Sequence, residues 1–478
     1  MLVSIIQDRK LSYPDASESF SPSERFPEYP FQHIALQENP VYHAVRDCLS
    51  QAGLDAANYG TNRWNPLGTY IGRGQKVFVL CNFVYHRKPG ESVHDFLGKC
   101  THGSVIRAVL DYVFIAAGPG GSISFGNAPL QSCEWNRVLD DTRASSVLEF
   151  YKREGVGITA KDLRLLIAPR SPLGDVRSSS EADENSATTV VLREDSLLDE
   201  LSHSDETVKF RVTDYNPDRT EGFHRHREHR YVLNNEVLAS DVIVSVPKLK
   251  THEKVGITVG IKGLVGCVGH KDSLAHHRFG PPELQGDEYP DDGRWQVALS
   301  RFHDFVYRRR YPRGVAGILE VLDKSGRRVA RKVFRKIRAG AWHGNDTAWR
   351  MAADLLRIVH FADRQGVMKT TTQRKHVVLI DGVVGGEGEG PLSPSGVDSR
   401  VVAFSDNLVC GDLAACALMG FDAKKIPMVQ HAVTRSRLVD PSAPVDCRKD
   451  GKNINLEGVA SALGRPFLPP TGWRGYLP

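Results

Sequence analysis

DVIVSVPKLKTHEKVGITVGIKGLVGCVGHKDSLAHH, residues 241–277, is the stretch on which the fold turns. Val242, Ile243, Val244 and Val246 form an almost continuous β-branched run, the pattern of a strand buried on both faces. Pro247 offers no N–H and fixes its own φ, so the strand is expected to end there. Lys248, Lys250, Thr251 and His252 follow at the carboxyl end of that strand, the edge at which open α/β sheets bind ligands. Gly256, Gly260, Gly263, Gly266 and Gly269 then surround Lys262, and glycines at this density let backbone N–H groups approach an anion. His270, His276 and His277 close the stretch.

Outward from this centre the same arrangement recurs. KVFVLCNFV is a strand with Asn82 at its exit, and SISFGNAPLQSCEWN is another, with Gly126 and then Asn127, Gln131, Ser132 and Cys133. Between them Thr101 is placed to cap a helix carrying Val105, Ile106, Val109, Leu110 and Val113, with His102 in its first turn, where the dipole favours an anion. KHVVLIDGVVGGEGEGP gives a buried strand with Asp381 at its exit, then a glycine-rich loop bearing Glu387 and Glu389. VVAFSD gives a further strand, followed by a helix with Asp412 near its start. Repeated strand, polar loop and helix argue for an α/β fold: parallel-sheet, Rossmann-like layers with helices on both faces, in two lobes around a cleft.

The expected segments are an irregular lead-in (1–38), an α/β lobe (39–170), a polar linker (171–206), a central lobe with the His/Lys stretch and a basic helix (207–345), an α/β segment with the acidic loop (346–435) and a tail (436–478). HRHREHR, residues 224–230, reads first as a solvated basic patch and only second as a metal site. With Lys and Arg at 62 against 57 Asp and Glu, the net charge of +5 suits an anionic ligand without calling for nucleic acid. No apolar run approaches the roughly 18–20 residues of a membrane span, and the amino terminus lacks a secretory pattern, so a cytoplasmic location is expected. Eight scattered cysteines with no Cys-x-x-Cys pair point to buried free thiols. Residues 325–340 read as a basic amphipathic helix able to meet an acidic partner or a membrane surface. The oligomeric state is left open.

The run Pro-Lys-Leu-Lys-Thr-His at 247–252, the glycine-flanked Lys262 and the histidine downstream resemble the domain of unknown function 362. IDGVVGGEGEGP at 380–391 and SDNLVCGDLAACALMGFD at 405–422 support the resemblance, which spans most of residues 40–435. Some members carry ferredoxin-like cysteine runs, which this sequence lacks. A more distant resemblance is to lactate racemase, whose general-base histidine, cofactor-bearing lysine and nickel-ligating histidine follow the spacing of His252, Lys262 and His276 or His277. Its glycine before the lysine is matched by Gly260, whereas Thr101-His102-Gly103 stands where Thr-Arg-Pro would. That resemblance implies a shared fold and pocket.

The chemistry expected of these residues is a His/Lys/carboxylate pocket acting on a small anion: a hydroxy acid, phosphate ester or nucleotide. Lys250, His252 and Lys262 are the candidates for acid–base or nucleophilic work, since histidine titrates near neutrality and a lysine in an apolar setting loses its proton readily. Asn82, His102, Asn127, Gly260, Gly263 and Gly266 are candidates for holding a cofactor. His276, His277, Glu387 and Glu389 are candidates for holding a divalent metal or a metal-nucleotide cofactor. The same pocket would equally suit a protein that binds its ligand without changing it, such as a scaffold in a biosynthetic pathway.

Overall fold

Residues 242–246 do form a strand with every side chain buried, and the layers build outward from it. The computed structural model describes residues 1–15, 19–167, 170–171, 174–175, 180–181, 184–202, 208–212, 215–291, 293–308, 313–334 and 338–478. One twelve-stranded sheet dominates. In chain order it takes β1 (Leu2–Gln7), β2 (Lys76–Cys81), β3 (Ser122–Asn127), β4 (Thr159–Asp162), β5 (Val242–Val246) and β6 (Lys248–His252). Next come β7 (Gly256–Thr258), β8 (Lys375–Glu389), β9 (Ser393–Val397), β10 (Val401–Ser405), β11 (Asp446–Lys449) and β12 (Lys452–Ile454).

The main path runs β12-β11-β1-β10-β8-β5-β2-β3-β4. Its centre, β8-β5-β2-β3-β4, is wholly parallel. Counted by first appearance in the chain and read from β4, that block has the order 3-2-1-4-5 of a doubly wound dinucleotide-type sheet, so its direction of winding reverses between β2 and β5. β10 lies antiparallel beside β8.

Helices cover both faces: α1 (Pro40–Gln51) and α2 (Gly103–Ala117) on one, α5 (Ala348–Phe361) and α6 (Leu408–Met419) on the other, while α3 (Arg294–Arg308) and α4 (Arg313–Phe334) pack together. Alternation within each strand divides the core between the faces. Val77, Val79, Val242 and Val244 join α1 and α2, whereas Phe78, Leu80, Ile243 and Val378 join the side of α5 and α6. Two buried faces are why these strands read as unbroken apolar runs.

The boundaries differ from expectation in four places. Residues 1–38 are no mere lead-in, because β1 pairs with β10 and β11 inside the sheet. Pro247 does not end the strand path; after this one residue β6 continues beside β8. The glycine run at 382–390 is strand rather than loop, β8 reaching Glu389. Its glycines serve close backbone approach: a Cβ at Gly390 would stand 2.0 Å from the Thr251 carbonyl oxygen, and one at Gly386 2.5 Å from that of Gly98. Finally, the expected lobes 39–170, 207–345 and 346–435 all give strands to the same sheet, and the tail adds β11 and β12.

Part of the expected linker 171–206 lies outside the described residues. Within it, Ala187–Leu192 pairs antiparallel with Glu228–Asn234. The basic run at 224–230 belongs to that small sheet, with His224 and His229 buried rather than solvated. All eight cysteines are free and buried.

Candidate functional site

The winding reversal between β2 and β5 opens a crevice at their carboxyl ends, and local chemistry fixes its walls. Thr101 donates its hydroxyl to the Val246 carbonyl at 2.7 Å and accepts the Asn82 N–H at 3.0 Å, which staples the two strand ends together. Lys250 lies beneath, its ammonium donating to Asn82 Oδ1 at 2.8 Å and to the Lys99 carbonyl. Above them is a cleft of about 320 Å³. Of the sequence candidates, Asn82, Asn127, His252, Lys262, Gly263, Gly266 and His276 line it.

The two histidines present opposite faces to this space. His252 Nδ1 accepts the Lys254 N–H at 3.0 Å, so its proton sits on Nε2 and is available to donate. His276 donates Nδ1–H to the Leu274 carbonyl at 2.7 Å, leaving Nε2 as a lone pair. Burial and then the nearby Lys262 push both pKa values well below the ordinary histidine range, so both rings are neutral at pH 7.

Lys262 is held down to about 7 by burial, reinforced by Lys254. Lys271, donating to the Val265 carbonyl at 3.0 Å, is lowered to about 7 by burial and then Lys262. Burial likewise lowers Lys250 to about 7. The cleft's charged lining is lopsided: Lys88, Lys254, Lys262, Lys271, Lys324 and Arg338 face a single carboxylate, Glu253, which is 3.5 Å from Arg338. Two amides add unspent polarity. Asn127 donates Nδ2 to the Phe83 carbonyl at 3.2 Å, while its Oδ1 and the Gln131 Nε2 are buried without a partner. Phe83, Val265 and Leu274 supply an apolar wall.

Other candidates fall elsewhere. Gly260 gives its N–H to Asp412 Oδ1 at 2.6 Å, and Ile261 to Oδ2 at 3.1 Å, so this turn is capped by α6 rather than open to a cofactor. Burial raises that aspartate to about 7. His102 is the N-cap of α2, stacked on Tyr13 at 4.1 Å and lowered to about 3 by burial and then Lys248. It does not line the cleft. His277 belongs to a separate cavity of about 10 Å³, with Nε2 4.0 Å from Glu288.

The acids expected to face the lysines turn away from them. Glu387 accepts Arg465 at 2.8 Å and the Leu468 N–H at 2.9 Å, and Glu389 accepts the Thr471 hydroxyl at 2.6 Å and its N–H at 2.8 Å. β6 and β8 are neighbours, as anticipated for the two stretches, but the carboxylates clasp the tail. Among the described residues no group of three or more His, Cys, Asp or Glu is placed to hold a metal. Glu387→Gln is therefore expected to lower the unfolding free energy by about 1–2 kcal/mol, with anion binding unchanged. Loss of anion binding at an unaltered melting temperature would return Glu387 to the cleft.

Sequence reading missed Lys254 and Lys271, whose signal was simply their position inside the 241–277 stretch. It also missed Lys324 and Arg338 as lining residues, for which separation along the chain left no signal. The segment 325–340 lies in part outside the described residues. The cations near it are less solvated than expected: Arg308 meets Asp218 at 2.8 Å and Glu221 at 3.0 Å, and Arg327 meets Asp323.

The layers and winding order make this a doubly wound α/β protein. More particularly, residues 182–417 match the family described as Domain of unknown function (DUF362), so the chain carries a DUF362 domain, with the 247–252 run, Lys262 and the 380–391 run all inside it. No curated relative matches the sequence. A crystal structure of a protein from Thermotoga maritima is similar over 77% of this chain at 11% identity, with a TM-score of 0.30. This chain spans 57% of that one, and a likeness of that size says nothing about chemistry.

Proposed function

We propose that the cleft binds a small organic anion, a hydroxy acid, phosphate ester or nucleotide, and that the protein is an enzyme acting on it by acid–base chemistry. The supporting observation is the ratio of charges: six cationic side chains and one carboxylate around a buried space at the switch point of the sheet. In this reading Lys262 and Lys271 bind the anionic group. His276 Nε2 takes a proton from the substrate, and His252 Nε2–H donates to the oxygen on which charge then develops. Asn127 Oδ1 and Gln131 Nε2 orient the polar remainder of the ligand. A bare divalent ion does not suit the donors, because the acids expected to bind it are engaged by the tail. We place the protein in the cytoplasm, with the segment 325–340 as the part that meets an acidic partner.

The experiment is a thermal-shift screen with lactate, glycerol phosphate and AMP, each beside its uncharged analogue, followed by calorimetry. An anion present at about 100 times its Kd should stabilise the protein by about 2.7 kcal/mol. Equal protection by the neutral analogues, or protection by none of the anions, would refute the reading.

A further inference from the structure

Helices α3 and α4 are amphipathic in the reverse sense from an ordinary surface helix. Their apolar residues face outward: Trp295 is 75% exposed and Ile318 61%, with Phe305, Val315, Leu322 and Val329 also exposed. Their acids face inward, Glu320 and Asp323 buried and Asp304 pairing with Arg211 at 2.8 Å. Lys324, on the same inner side, reaches the cleft. Among the described residues, the charged side chains exposed on the two helices are Arg301, Arg308 and Arg328, without a single carboxylate.

Single exposed apolar residues need no explanation, but a contiguous patch of this kind marks an interaction site. We propose that the outer face of α3 and α4 docks on an anionic lipid surface, its apolar side chains entering the acyl boundary and its arginines meeting the headgroups. The charge pattern selects this occupant. A second copy seated face to face would bring arginine against arginine with no acid to answer it, and nucleic acid offers nothing to the apolar row. An exposed tryptophan at one end and flanking arginines are the features of a helix lying in a membrane interface. No helix among the described residues is long and apolar enough to cross a membrane, so the attachment is peripheral. The inference rests on the reading of this region as partner-facing and names the partner; it does not depend on what the cleft binds.

The test uses the full chain with vesicles of phosphatidylcholine alone and of phosphatidylcholine with phosphatidylglycerol. Sedimentation with the anionic vesicles only, weakened by high salt, is the expected result, accompanied by a blue shift of tryptophan emission that W295F removes. Ile318→Asp with Leu322→Asp should abolish sedimentation while leaving the melting temperature and anion binding in the cleft unchanged, since both side chains are exposed. Changing Arg301, Arg308 and Arg328 to Gln should lower partitioning roughly a hundred-fold, at about 1 kcal/mol per cation. Failure of the wild type to sediment with anionic vesicles at low salt would overturn the proposal. So would equal sedimentation of the Asp variant, or a dimer that this variant dissolves without any vesicle binding. None of these outcomes would disturb the reading of the cleft.

Discussion

Lys262→Met is expected to weaken anion binding by about 2–4 kcal/mol, roughly 30- to 1000-fold, and at the same time to make the unliganded protein more stable. Both effects have one cause. The Lys262 ammonium is buried, borders the cleft, and is lowered to about 7 because folding strips its water without supplying a counter-charge. Its folded pKa lies below the ordinary value of about 10.4, so between about 7 and about 10.4 the folded state binds fewer protons than the unfolded one. Stability from this group therefore rises with pH across that window and is least below about 7. Methionine removes the penalty, and the gain in melting temperature should be largest near pH 6 and vanish toward pH 10.

Binding runs the other way. An anion restores the counter-charge and lifts the pKa of Lys262 and Lys271, so complex formation takes up protons once the pH exceeds about 7. Affinity should be level below that point and fall up to about tenfold per pH unit per lysine above it. Calorimetry from about pH 6 to about pH 9 in buffers of different ionisation enthalpy reads both the affinity and the proton uptake. Affinity that stays flat over that range, or a Met variant that binds as the wild type does, would sink the assignment of Lys262.

What made Lys262 legible was local: a lysine among glycines just beyond a β-branched strand has few other reasons to be there. The same logic found Asn82, Asn127, His252 and His276, each near a strand exit or in the glycine-rich return, and exits share an edge in a parallel sheet. Gly386 and Gly390 misled because glycine is a loop signal in sequence, whereas here it answers the approach of neighbouring backbone in a strand. Glu387 and Glu389 misled for a related reason. Their partners, Arg465, Leu468 and Thr471, lie some eighty residues downstream in a tail that has no periodic pattern. β1 was hidden by its brevity, and its pairing with β10 joins the two ends of the chain.

The largest stability effect is expected at Asp381, where the amino-terminal segment is tied to the carboxyl edge of the sheet. Asp381 and Lys248 are both fully buried and 3.0 Å apart. The carboxylate also accepts the Tyr13 hydroxyl at 2.6 Å and the His102 N–H at 3.0 Å. Burial alone lowers the pKa of Lys248, with Asp381 opposing that shift. Asp381→Asn leaves the ammonium in the interior without its counter-charge and is expected to cost about 3–5 kcal/mol. Lys248→Met strands the carboxylate and should cost a similar amount. Lys248→Met with Asp381→Leu removes both charges, so the double variant should recover much of what either single change loses. Urea unfolding midpoints at constant m-value give the three differences. If Asp381→Asn costs less than about 1 kcal/mol, the pair is hydrated and holds little. If the double variant is as unstable as the sum of the singles, the loss lies in the Tyr13 and His102 bonds rather than in the ion pair. The expected non-additivity would show that the charges are kept as a pair, holding β6 against β8 beside the lysines of the cleft.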